Sequence, residues 1–164
     1  MSNETQAEQN LLHMELKNGR VVIKLRHDLA PLAAERLRTL AAKGFYDNTP
    51  FHRVIEGFMA QGGDPSGTGT GGSDLPDLKA EFTREESFRR GMIGMARTMD
   101  PNSANSQFFI MFDDAPHLNG QYTIVGEVIE GMDLVDKIQR GSGANGMVKN
   151  PDRIIKMTVA PAEK

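Results

Sequence analysis

Apolar residues at every second position open the patterned part of the chain. Leu12, Met14 and Leu16 alternate with polar neighbours, as a half-buried strand requires. Lys17-Asn18-Gly19-Arg20 predicts a hairpin turn with Asn-Gly at its centre. Val21–Leu25 is then the returning strand. The period next lengthens. Ala33, Leu37, Leu40 and Ala41 fall at i, i+4, i+7 and i+8, which places them on one helix face. Asp28 offers a cap near the start of that helix, Pro31 suits its first turn and Gly44 a stop.

From Phe51 onward, short apolar segments are divided by glycine-rich turns. Phe51–Ile55, Phe58–Gln61, Met92–Ala96, Gln107–Phe112, Tyr122–Val128 and Ile154–Val159 read as strands. Leu134, Val135 and Ile138 predict a second helix over about residues 131–139. Many short strands with only two helices predict a mainly β fold: a closed antiparallel eight-stranded barrel capped by two α-helices. Residues 1–10 read as a disordered polar tail, and residues 11–164 as one domain without internal repeat or linker.

Composition narrows the function classes. A chain of 164 residues, 38% of them hydrophobic, is long enough to bury a core. A net charge of −3 argues against a general nucleic-acid binder, which needs cations to displace phosphate counterions. No apolar run is long enough to span a bilayer. MSNETQAEQN lacks the basic start and apolar centre of a signal peptide, so a cytoplasmic location is expected. Without cysteine there is no disulfide, thiolate nucleophile or cysteine-ligated zinc. The sequon Asn3-Glu4-Thr5 then reads as chance.

Candidate chemistry centres on Phe51-His52-Arg53-Val54-Ile55-Glu56-Gly57-Phe58-Met59-Ala60-Gln61. Alternation puts Phe51, Arg53 and Ile55 on one strand face, and His52 and Val54 on the other. A turn at Glu56-Gly57 brings Met59 and Gln61 beside Arg53, and the same parity puts Gln107 and Phe109 on one face of a later strand. On alternation alone, Arg53 reads as an ordinary surface charge. His13, His27, His52 and His117 form no metal-ligand pair, and Ser103 and Ser106 have no evident His–Asp partners. Gly67–Gly72 lacks the Gly-Lys-Ser/Thr of a phosphate loop and reads as a surface loop, shaping one wall of a groove.

The stretch around Arg53 resembles the signature of the cyclophilin family of peptidyl-prolyl cis/trans isomerases. Gly94-Met95-Ala96, Asn105–Ile110, Leu118-Asn119-Gly120, Val125–Val128 and Gly131-Met132 follow in the family's order, from about residue 11 to about residue 159. The resemblance implies that Arg53 is the catalytic arginine and that Gln61 holds it and contacts the peptide. It implies that Phe58, Met59, Phe109 and Leu118 line a pocket for the proline ring, and that Gln107 helps bind substrate. Ala96 and the backbone of Arg97 would meet the residue before proline. His117 stands where the family often has tryptophan, and Tyr122 where it often has histidine. Only weak cyclosporin binding is therefore expected.

The resemblance implies an isomerase that rotates X-Pro bonds in peptides and unfolded clients and assists folding. It would act as a cytoplasmic monomer, without metal, cofactor, nucleic acid or membrane partner. Bond rotation makes and breaks no covalent bond, so no nucleophile is needed. The alternative is a peptide-binding chaperone module that uses the same groove with little turnover.

Overall fold

The computed structural model describes residues 11–160. The tail read over residues 1–10 lies outside them. Strands β1 (Leu11–Leu16) and β2 (Gly19–Leu25) form the opening hairpin, and helix α1 (Pro31–Ala42) follows. Next come β3 (Arg53–Ile55), β4 (Met59–Gly62), β5 (Met92–Met95) and β6 (Phe108–Met111). A 3-10 turn at Pro116–Leu118, β7 (Ile124–Glu130), α2 (Met132–Val135) and β8 (Lys156–Val159) complete the order. All eight strands are antiparallel, in one sheet of order β3-β4-β6-β5-β7-β2-β1-β8.

The sheet curls into a half-barrel and does not close, which corrects the expectation of a closed barrel. Its end strands, β3 and β8, share no ladder. The chain just before each of them meets instead. Asn48 N donates to Ile154 O at 2.6 Å, Ile154 N to Thr49 O at 2.8 Å and Phe51 N to Asp152 O at 2.9 Å. Pro50 has no N–H to donate in this seam, and strands of three and four residues are too short to carry pairing further.

Side-chain alternation sorts the sheet into two apolar layers. In β6, Phe108 and Ile110 join the main core, which also holds Leu12, Met14 and Ile23. Phe109 and Met111 point the other way and join Met59, Met92, Leu118 and Ile124 in a second cluster. That second cluster underlies the site described below.

The hairpin turn sits one residue earlier than expected. Leu16 pairs with Gly19, so Lys17 and Asn18 form its tip. Helix α1 buries Ala33, Leu37, Leu40 and Ala41 as its periodicity predicts. Gly44, at φ 76°, leaves the helix in the left-handed region that glycine favours. Asp28 is not its cap, because Arg26 holds that carboxylate at 2.8 and 3.0 Å. The first-turn amides of Leu32 and Ala33 instead donate to Glu81 at 3.0 and 2.9 Å. An anion at a helix N-terminus satisfies free N–H groups and complements the helix dipole.

Tyr46 ties the core to the strand that carries the site. It is fully buried, packs edge-on against Phe108 and donates its hydroxyl to Ser106 O at 2.8 Å. Burial pushes its phenol pKa well up, so it remains a donor. Tyr46→Phe is expected to cost about 1–2 kcal/mol by stranding the Ser106 carbonyl, measured as a lower urea midpoint with an unchanged m-value.

Candidate active site

The register of four strands builds the site. Arg53 on β3 lies opposite Gln61 on β4, and Gln61 lies opposite Phe109 on β6. Phe109 in turn lies opposite Gly94 on β5. A cation, an amide and an aromatic ring are thus carried side by side on neighbouring strands. Phe51 does not share the Arg53 face as alternation implied. It precedes β3, is fully buried and packs on Phe108 in the core.

Arg53 is held at two points. Its Nε donates to the Asn145 carbonyl at 2.9 Å, and its Nη1 donates to Gln61 Oε1 at 3.1 Å. Its Nη2 makes no hydrogen bond among the described residues. The guanidinium plane is therefore fixed while one nitrogen remains available to a ligand.

Beside it opens a cavity of about 200 Å³. Phe58, Met59, Phe109 and Leu118 supply its apolar lining, and Arg53, Gln61, Ala96, Arg97 and Tyr122 complete it. Phe109 is braced by stacking on Phe88 at 5.7 Å and by an edge contact to Tyr122 at 5.6 Å. Gly94 makes room for it, since a Cβ there would lie 2.4 Å from the tip of the Phe109 ring. Arg97 lies over the Tyr122 ring at 4.5 Å and donates to the Gln121 carbonyl from Nε and Nη2.

Gln107 stands outside this lining but is joined to it. Gln61 Nε2 donates to Gln107 Oε1 at 2.9 Å. Gln107 borders a larger neighbouring cavity of about 490 Å³ that shares Gln61, Ala96 and Arg97 with the first. The glycine-rich loop over residues 69–72 forms one wall of that larger space. His117 also lies off the lining, stacked on Phe58 with ring centres 6.0 Å apart. Among the described residues, no group of three or more His, Asp or Glu is placed to hold a metal.

The family model described as cyclophilin type peptidyl-prolyl cis-trans isomerase matches residues 11–159. The chain belongs to the cyclophilin family. A probable peptidyl-prolyl cis-trans isomerase of Brucella suis is 55% identical over 163 residues, covering 92% of this chain and 83% of that protein. The isomerase CYP18-1 of Arabidopsis thaliana is 45% identical over 138 residues, covering 80% and 84%. A crystal structure of a Cryptosporidium parvum cyclophilin, in the presence of the dipeptide Ala-Pro, superposes with a TM-score of 0.83 at 32% identity. That match covers 92% of this chain and 99% of the other. The chain is thus a peptidyl-prolyl cis-trans isomerase.

In this cyclophilin, nine of the eleven side chains expected at the site line one cavity: all but Gln107 and His117. The sequence did not reveal the backbone groups that support them. Asn145 acts through its carbonyl, which no residue type announces. Gly69 and Gly71 accept Gln107 Nε2, both at 3.0 Å, and only the glycine run hinted at a loop able to come so close. His52, the residue before Arg53, is buried, and neither of its ring nitrogens has a hydrogen-bond partner among the described residues. Burial lowers its pKa, so it stays neutral there, although Asp64 opposes the shift.

Proposed function

We propose that this cyclophilin rotates X-Pro bonds with the proline ring seated against Phe58, Met59, Phe109 and Leu118, and with Arg53 as the catalytic residue. The barrier to rotation is about 18–20 kcal/mol because resonance stiffens the C–N bond. As the bond twists, the nitrogen loses conjugation and gains a lone pair. A guanidinium aimed at that nitrogen or its neighbouring carbonyl stabilises the twisted state more than either planar isomer. The carrying observation is the twice-tethered Arg53 beside an apolar cavity of about 200 Å³, with Nη2 unpaired among the described residues. Arginine keeps its charge throughout, and its tethered plane needs no reorganisation at the moment of reaction.

Proline-containing peptides and unfolded chains are the proposed substrates. The Cryptosporidium relative crystallised in the presence of Ala-Pro supports this choice. Help in protein folding follows from it, because uncatalysed X-Pro exchange takes roughly tens to hundreds of seconds. A monomer suffices, since the site draws on one chain. The cysteine-free composition supports work in the cytoplasm. His117, in place of the tryptophan often found there, supports weak cyclosporin binding.

Exchange NMR on a short Ala-Pro peptide tests the reading. Catalytic amounts of the protein are expected to give cis–trans exchange peaks absent from peptide alone. Saturable binding without exchange would instead favour the chaperone module that binds in this groove with little turnover.

A further inference from the structure

Asp64 lies just beyond β4, fully buried. Its Oδ1 accepts Ser66 N at 2.8 Å and Ser66 Oγ at 2.7 Å. Its Oδ2 accepts Gly69 N at 2.6 Å and Gly71 N at 3.1 Å. Burial works against its charge, but these hydrogen bonds win and hold its pKa at about 2. The carboxylate is thus ionised and folds the glycine-rich loop around itself.

The same loop residues present their carbonyls to the site. Gly69 O and Gly71 O both accept from Gln107 Nε2, which engages both of its hydrogens. Gln107 Oε1 is then left to accept Gln61 Nε2, and Gln61 Oε1 to accept Arg53 Nη1. Carbonyls only accept and a guanidinium only donates. The two glutamine amides between them must therefore point the same way along the chain of bonds.

We propose that Asp64 is a positioning residue for catalysis: it anchors the glycine-rich loop, whose carbonyls orient Gln107 and Gln61 and so aim Arg53. This rests on the reading of Arg53 given above. Asparagine at this position keeps the shape of aspartate but sets an NH₂ against the inward amides. The loop then shifts, its carbonyls leave Gln107, and both glutamines can turn over. The apolar seat for proline lies outside this chain of bonds and is unaffected.

Asp64→Asn is expected to lower kcat about tenfold, with KM for a proline peptide changed less than twofold. In a Gln107→Ala background, where the relay is already cut, the same substitution is expected to cost less than twofold more. Should Asp64→Asn not fold, Gly71→Ala serves in its place. Its added Cβ would lie 2.2 Å from Asp64 Oδ1 and push the carboxylate aside, and Gly71 has no positive φ to defend. The same kcat loss and the same non-additivity are expected. Full kcat in the folded variant, or an equal tenfold loss in both backgrounds, would overturn the proposal. Arg53→Ala run alongside separates the two readings. Retained turnover there brings down the role of Arg53 and the relay together. Loss there, with full activity in Asp64→Asn, removes the relay alone.

Discussion

Arg53→Ala is expected to reduce kcat by roughly a hundred- to a thousandfold, the usual loss when one preorganised donor to a developing charge is removed. KM should change by less than about threefold, because on the proposed reading the proline ring is held by Phe58, Met59, Phe109 and Leu118, the apolar lining of the cavity. Stability should change little, since Arg53 is partly exposed and its tethers lie at the rim of the sheet. Lysine should not rescue the loss. One ammonium on a flexible stem cannot satisfy the Asn145 carbonyl and Gln61 while still presenting a third donor in a fixed plane. A protease-coupled assay on a proline peptide measures both constants. Unchanged turnover in Arg53→Ala would end the assignment.

Phe109→Ala is expected to fail in the opposite way. The ring is almost fully buried, at 5% exposure, between Phe88, Tyr122 and the space left by Gly94. Truncating a buried phenylalanine costs about 3–5 kcal/mol. The low end is expected here because the cavity opens onto the groove and water can enter. The urea midpoint should fall accordingly. KM should rise roughly ten- to a hundredfold, matching the loss of about 1.5–3 kcal/mol of apolar burial for the bound ring. Turnover at saturation should fall much less, because the tethers of Arg53 do not involve Phe109. A variant with normal KM would show that the proline ring is seated elsewhere.

Periodicity exposed what depends on local order. The alternation of Leu12, Met14 and Leu16 and the helical spacing of Ala33, Leu37, Leu40 and Ala41 both reappear as buried faces. Each of the later strands is present, most of them trimmed at the ends. The cap of α1 was hidden because Glu81 lies 48 residues from the amide of Ala33. Phe51 leaves the Arg53 face because alternation holds only within a strand, and β3 begins two residues later. Closure of the sheet is not legible in the pattern for a related reason. It depends on the register of the end strands, and side-chain pattern says nothing of that across a seam containing Pro50. At the site, the family signature points to eleven side chains, and all but Gln107 and His117 line one cavity. It was silent on Asn145, Gly69 and Gly71, which contribute through backbone carbonyls.

The outer edge of β3 has no neighbouring strand in the sheet, yet it is not bare. Val54 N donates to Gly146 O, and Gly141 N donates to Val54 O, both at 2.8 Å. Val148 N donates to His52 O at 3.0 Å. An unpaired strand edge is a template on which other chains can add. The segment from Gly141 to Val148 shields that edge from self-association, and through the Asn145 carbonyl it also steadies the guanidinium of Arg53. Solubility and turnover therefore share one loop.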